Sequence, residues 1–180
     1  MDEAEHAALL MRQPPPAATL AWLVDELDVA EVVEVSPMPG GSTSAMHRVA
    51  LIDRGGHQQS VVLRRYVRET ILATSPDVAA VEARALQLAE RLPLPTPTLL
   101  ALDATGDRAD VPALVMSLLD GRPIWETRWG SGWVSQTVDA MIALHDLDAS
   151  KSTCRHSPRT RRSATTHRDA LGSRSTHRGR

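Results

Sequence analysis

Residues 39–65 constrain the fold of this chain more than any other segment. They contain a glycine-containing loop at 40–44, an apolar stretch at 46–52, a glycine turn at 54–56 and a second stretch at 59–66. Glycine readily adopts the positive φ angles that tight hairpin turns require, so the two stretches are predicted to pair as antiparallel strands. An antiparallel sheet is therefore expected.

Further elements are predicted on both sides of this hairpin. Strand patterns occur at 32–38, 98–103 and 113–118, and a helix at 75–92 lies between the hairpin and the last two strands. Short helices are predicted at 4–11 and 17–28, and an amphipathic helix with apolar residues Val134, Val138, Met141 and Ile142 at 134–145. The order β-β-β-α-β-β-α predicts an α+β fold with a five-stranded antiparallel sheet and lacks the alternation of a Rossmann sheet.

The central helix carries clear start signals and an apolar face. Ser75 is a suitable N-cap, and Pro76 suits the first helical position. Spacings of three or four residues predict an apolar face made of Val78, Val81, Ala85, Leu88 and Leu92. Glu82 is expected at the edge of that face.

Composition indicates a cytoplasmic protein. Hydrophobic residues make up 42% of the chain, and the single Cys154 excludes an internal disulfide and fits a reducing compartment. The N-terminus MDEAEHAALL is acidic where a signal peptide is basic. No run approaches the roughly 18 apolar residues of a membrane span, so no membrane contact is expected.

Charge divides the chain near Ser150. Residues 150–180 contain nine Lys/Arg and one acidic residue, a net charge of +8, whereas residues 1–149 carry −10. The tail is too poor in apolar residues to offset the entropy of ordering and is expected to be disordered. A basic arm for nucleic acid is the alternative, but the tail has no aromatic residue for stacking. We expect an out-of-frame terminus, testable in the other two reading frames beyond the codon for Asp148.

Residues 32–148 resemble the amino-terminal lobe of kinase-like phosphotransferases, closest to the aminoglycoside phosphotransferase and choline kinase type. Val61-Val62-Leu63-Arg64 is similar to the strand Val-Ala-Ile-Lys that carries the kinase lysine. The resemblance implies that Arg64 replaces this lysine and that Glu82 holds it in place. On the residues alone, Arg64 could equally be a surface residue and Glu82 unrelated to it. Arg65 is expected to face the other side of the strand, in solvent.

The resemblance also implies the remaining nucleotide contacts. Ser42, Thr43 and Ser44 would cap the β- and γ-phosphates, although a simple polar hairpin loop also fits residues 40–44. Met116 would be the gatekeeper beside the adenine, and backbone groups of Ser117 and Leu119 would bind the adenine edge. Val49 would form part of the apolar roof over the base. ATP or GTP with Mg²⁺ is the implied cofactor.

The sequence lacks the catalytic motif that this resemblance requires. The family uses His-Gly-Asp-x-x-x-x-Asn, but the chain contains no His-Gly-Asp and no Asn. His167-Arg168-Asp169 imitates it, but Arg174 stands where a Mg²⁺ ligand is needed. We therefore expect a truncated, inactive small-molecule kinase whose acceptor is an aminoglycoside, a sugar or a choline-like compound, with no catalytic or metal-binding residue.

The expected organisation has four segments: N-terminal helices at 1–30, the kinase-like lobe at 31–121, a hinge linker with the first helix of a truncated C-lobe at 122–149, and the basic tail at 150–180. Two other classes of function remain open on the sequence. One is a small α+β binding or regulatory module without nucleotide. The other is nucleic-acid binding through the tail, although nucleic acid is not an expected partner.

Overall fold

A computed structural model describes residues 3–39, 43–121 and 131–147 of the 180-residue chain. The predicted order of elements is present, with an additional helix α3 between the third strand and the central helix. The bounds are α1 Glu3–Arg12, α2 Ala17–Leu27, β1 Val29–Pro37, β2 Ala45–Asp53, β3 Gln58–Arg65, α3 Glu69–Thr74, α4 Val78–Ala89, β4 Leu99–Asp103, β5 Ala113–Ser117 and α5 Ser131–His145.

The five strands form one sheet with the order β1-β2-β3-β5-β4, in which every neighbouring pair is antiparallel. The predicted turn between β2 and β3 is present, and Gly56 has a φ of 84°. Asp53 stabilises this turn because its Oδ1 accepts hydrogen bonds from the amides of Gly55 (2.8 Å) and His57 (2.9 Å). The prediction of an α+β fold built on a five-stranded antiparallel sheet is confirmed.

Strand pairing divides the sheet into two faces. Residues paired across an antiparallel ladder point to the same face, so Arg64 shares its face with its partners Met46 and Leu114. Helix α4 packs on this face, against Val62, Tyr66, Leu114 and Met116. Helix α2 covers the other face, in a cluster that contains Trp22, Leu23, Val49, Leu51, Val61, Leu63 and Val115.

Helix α2 belongs to the same core as the sheet. Trp22 and Leu23 are 3% and 0% exposed within the cluster under the sheet. The hydroxyl of Thr19 donates to the carbonyl of Ala109 at 2.8 Å, which ties α2 to the loop between β4 and β5. Strand β1 begins at Val29, so the expected boundary between residues 30 and 31 falls inside a strand.

Helix α4 lies in a different rotation from the predicted one. It begins at Val78, with Asp77 as the N-cap residue, because Ser75 ends α3 instead of starting α4. Val81 is 47% exposed, whereas Ala79 and Ala83 are 0% and 1% exposed against the sheet. Of the predicted apolar face, Val78 packs against the core, whereas Val81 does not, so the buried face is rotated toward Ala79 and Ala83. Small alanines let the helix approach the sheet closely, and Glu82 between them points inward.

Helix α5 presents its predicted apolar face to solvent. Val134, Val138, Met141 and Ile142 are 48–58% exposed. The helix extends from Ser131 to His145, three residues earlier than predicted at its start. None of the helices in the described segments is long and apolar enough to cross a membrane.

A buried histidine predicts a pH dependence of stability. His47 in β2 is 1% exposed, and neither ring nitrogen has a hydrogen-bond partner among the described residues. Burial is the largest cause that lowers its pKa from the ordinary value of 6.5, and the charge of Arg65 lowers the pKa further. The nearby backbone of Gln13 raises the pKa, but by less. The unfolded chain therefore binds the proton more readily than the folded chain.

We expect the free energy of unfolding to fall as the pH drops below about 6.5, by up to roughly 1.4 kcal/mol per pH unit, until His47 is protonated in the folded state. Urea unfolding of His47→Leu between pH 7.5 and 5 should show a shallower fall than the wild type. His145→Leu, which removes an exposed histidine, should keep the wild-type slope. Equal slopes in all three proteins would contradict this prediction.

Candidate nucleotide-binding site

The ion pair predicted between β3 and the central helix is present. Arg64 Nη1 lies 2.5 Å from Glu82 Oε1, and both side chains are 23% exposed. Strand alternation directs Arg64 toward α4, and the inward rotation of α4 brings Glu82 to meet it. The pair is thus held by two elements of the core, and both side chains remain partly exposed.

Two further side chains contact this pair. Arg64 Nε donates to Ser44 Oγ at 2.8 Å, and the Tyr66 hydroxyl donates to Glu82 Oε2. The guanidinium carbon of Arg64 lies 5.4 Å from the centre of the Tyr66 ring, within the range of a cation–π contact. Tyr66 was not among the predicted site residues; it follows β3 directly and packs with Val62 and Leu114 on the face that carries Arg64.

The electrostatics keep Tyr66 a neutral donor. Burial, and then the hydrogen bond to Glu82, raise the pKa of its hydroxyl well above the ordinary value of 10.0, and the charge of Arg64 only partly opposes this. The side chain is 1% exposed. Tyr66 therefore remains protonated at physiological pH and orients the Glu82 carboxylate that receives Arg64.

The loop residues are placed differently from one another. Ser42 lies outside the described residues, and Thr43 is half-buried just before β2. Ser44 is 0% exposed, and its oxygen accepts the hydrogen bond from Arg64. Its contact is thus with the arginine, and the phosphate-capping role expected for residues 42–44 stays a prediction.

The expected adenine-side residues lie at the end of β5. Met116 is 6% exposed and pairs with Val62, on the face that carries Arg64. The amide of Ser117 donates to the carbonyl of Thr98 at 2.9 Å, so this amide is committed to the neighbouring chain segment. Leu119 follows the strand and is 43% exposed. Met116 thus shares a face with Arg64, and the adenine contacts of all three residues remain predictions.

Val49 is on the wrong face for the role expected of it. It pairs with Val61, which is three residues before Arg64 in β3 and therefore points to the opposite face of the sheet. Val49 is 0% exposed in the cluster with Trp22 and Leu23. A side chain buried on the opposite face of the sheet cannot cover a base bound beside Arg64. Val62, which is two residues before Arg64, occupies the correct face instead.

Arg65 is buried, so the expectation of a solvated side chain is wrong. Its side chain is 6% exposed, and Nη2 lies 2.6 Å from Asp110 Oδ2 in the loop after β4. Asp110 Oδ1 also accepts a hydrogen bond from the Thr19 hydroxyl at 2.5 Å. The expectation that Arg65 faces away from Arg64 is confirmed, but the cover provided by α2 and the β4–β5 loop excludes solvent there.

Arg64 fits a phosphate group better than the described residues fit a metal ion. In the part of the chain that the structure describes, its Nη2 has no hydrogen-bond partner and the side chain is 23% exposed, so the N–H groups of Nη2 could donate to an anion. Residues 3–39, 43–121 and 131–147 contain no group of three His, Cys, Asp or Glu side chains that could hold a metal ion. The described residues therefore do not by themselves fit a bound Mg²⁺.

Helix α4 lies between β3 and β4 in the chain, and an ion pair joins it to β3. A five-stranded antiparallel sheet with such a helix defines a kinase-like amino-terminal lobe. The family model of phosphotransferase enzymes matches residues 34–177, most of the chain. The chain belongs to this phosphotransferase enzyme family. The match continues past Asp148 into the basic tail, so the change in composition near Ser150 does not coincide with a boundary of the match.

One solved structure similar to this chain is that of a candidate aminoglycoside phosphotransferase from Ralstonia eutropha JMP134. The two chains are 18% identical, with a TM-score of 0.43, and the similarity covers 60% of this chain. This chain spans 29% of the length of that structure's chain. A search of curated proteins found no match.

Proposed function

We propose that this chain forms the nucleotide-binding lobe of a small-molecule kinase, in which Arg64 contacts the phosphates of ATP or GTP. The observation that carries the proposal is the partly exposed Arg64–Glu82 ion pair, which lies on the sheet face that also carries Met116. A buried or fully paired arginine would serve only the fold. The acceptor would be a hydroxyl group on an aminoglycoside, a sugar or a choline-like compound.

We further propose that the 180-residue sequence is truncated, binds nucleotide and transfers little or no phosphate. Phosphoryl transfer in such kinases depends on an Asp that orients the acceptor hydroxyl and on Asn and Asp ligands for Mg²⁺, and the sequence contains neither His-Gly-Asp nor Asn. Mg²⁺ would neutralise the charge that develops on the transferred phosphoryl group. The single Cys154 supports a cytoplasmic location.

A thermal-shift titration of the full chain with Mg·ATP tests the nucleotide site. At a ligand concentration 100 times the dissociation constant, binding adds about 2.7 kcal/mol to the free energy of unfolding. The midpoint of thermal unfolding should therefore rise by roughly 5 °C or more. Arg64→Ala should abolish this rise because it removes the phosphate-binding cation. Arg54→Ala, which removes an exposed arginine paired with Asp28, should leave the rise unchanged.

The two rival functions predict different results. A wild-type chain that shows no shift at millimolar nucleotide would contradict the proposal and favour a binding module without nucleotide. Nucleic-acid binding through the tail predicts salt-dependent DNA binding that disappears when residues 150–180 are deleted. Full DNA binding together with no response to Mg·ATP would favour that second rival.

A further inference from the structure

The guanidinium of Arg64 is held by three different side chains. Nε donates to Ser44 at 2.8 Å, Nη1 donates to Glu82 at 2.5 Å, and the guanidinium carbon lies 5.4 Å from the centre of the Tyr66 ring. These contacts engage Nε, Nη1 and one face of the planar group. Nη2 is left without a hydrogen-bond partner among the described residues, and the other contacts fix the direction of its two N–H groups.

Glu82 is itself oriented from both sides. Its Oε1 accepts a hydrogen bond from Arg64, and its Oε2 accepts one from the hydroxyl of Tyr66. Tyr66 is 1% exposed and packs with Ala79, Leu114 and Met116. A carboxylate with both oxygens engaged cannot rotate freely. Tyr66 therefore acts on Arg64 twice, through its ring and through the carboxylate that it holds.

Ser44 connects the same arginine to the loop before β2. It is 0% exposed, and it immediately precedes β2, where Met46 is the ladder partner of Arg64. A lysine at position 64 has no Nε–H to donate to Ser44 and ends in a single nitrogen. The separate contacts of Nε with Ser44 and of Nη1 with Glu82 are therefore specific for a guanidinium.

We infer that Ser44 and Tyr66 are positioning residues, which hold the guanidinium of Arg64 so that Nη2 faces the phosphates of the nucleotide. They make arginine, and not lysine, the functional cation at position 64. This inference rests on the proposed nucleotide site. It adds two residues that act through Arg64 without touching the nucleotide, and it explains how a position that resembles a lysine site accommodates arginine.

The test measures the affinity of the full chain for Mg·ATP by calorimetry at a temperature where every variant is folded. We expect Ser44→Ala and Tyr66→Phe each to weaken binding by about threefold to tenfold, since each removes one hydrogen bond to a charged group. Arg64→Lys should bind as weakly as Arg64→Ala. Ser60→Ala is the matched control, because Ser60 also accepts hydrogen bonds from an arginine, Arg48, but at an exposed site.

A spectroscopic signature separates positioning from a merely structural role. Tyr66 is the only tyrosine in the chain, so ¹³C-labelled tyrosine gives the ring signals of this residue alone. Mg·ATP should shift these signals in the wild type and leave them unchanged in Arg64→Ala. A residue that only supports the fold would change the thermal midpoint without changing the affinity of the folded protein.

The outcomes distinguish the inference from the proposed function. A wild-type chain that binds no Mg·ATP, or an Arg64→Ala variant that binds as the wild type does, would overturn the proposed site and the inference with it. If the wild type binds and Arg64→Ala does not, then wild-type affinity in both Ser44→Ala and Tyr66→Phe would overturn the inference alone. Wild-type affinity in Arg64→Lys would overturn the preference for a guanidinium.

Discussion

Asp110→Asn is expected to lower the free energy of unfolding by about 3 kcal/mol, because it leaves the charge of Arg65 buried without a counter-charge. The Arg65 side chain is 6% exposed, and Asp110 receives both Arg65 and the hydroxyl of Thr19. Asp110 has a φ of 71°, and asparagine tolerates this left-handed conformation, so the substitution changes the charge and leaves the backbone unstrained. Urea unfolding at pH 7 measures the loss.

Asp28→Asn is a close control for this substitution. Asp28 also has a positive φ, of 53°, and also pairs with an arginine, but the Asp28 and Arg54 side chains are 58% and 70% exposed. Exposed pairs contribute at most about 1 kcal/mol, so this variant should lose little stability. Equal losses of unfolding free energy in Asp110→Asn and Asp28→Asn would show that burial of the Arg65–Asp110 pair does not increase its contribution to stability. The double variant Arg65→Met/Asp110→Asn should lose less unfolding free energy than the sum of the losses in the two single variants.

Leu23→Ala is expected to lower the free energy of unfolding by about 3–4 kcal/mol, because Leu23 is fully buried between α2 and the sheet. The loss should appear in one cooperative transition, since α2 and the sheet share a core. Guanidinium unfolding followed both by far-UV circular dichroism and by tryptophan fluorescence measures the transition.

Leu9→Ala makes the same chemical change in α1 at a side chain that is 50% exposed, and should cost less than about 1 kcal/mol. A sheet whose unfolding midpoint is unchanged by Leu23→Ala would show that α2 unfolds separately from the sheet. That result would support the segment boundary near residue 30 that the sequence suggested.

The positions of the site residues show how far the sequence can predict a site. The hairpin and the order of the five strands along the chain follow from turn glycines and alternation, whereas the pairing of Arg64 with Glu82 was predicted only from the resemblance to kinase-like phosphotransferases. Val49 could not be placed in this way. Shifting the register of a strand by one residue moves each side chain to the other face, and only the observed pairing of Val49 with Val61 decides that it lies beneath α2.

The order of elements was determined by the sequence, because it depends on local patterns that the chain carries with it. The rotation of α4, the burial of Arg65 and the role of Tyr66 were decided only by the tertiary structure. Valine is more apolar than alanine, so the pattern favoured Val81, yet close packing on the sheet selected Ala79 and Ala83. Since that choice depends on the shape of the opposing surface, it cannot be read from the helix alone, and it is what turns Glu82 toward Arg64.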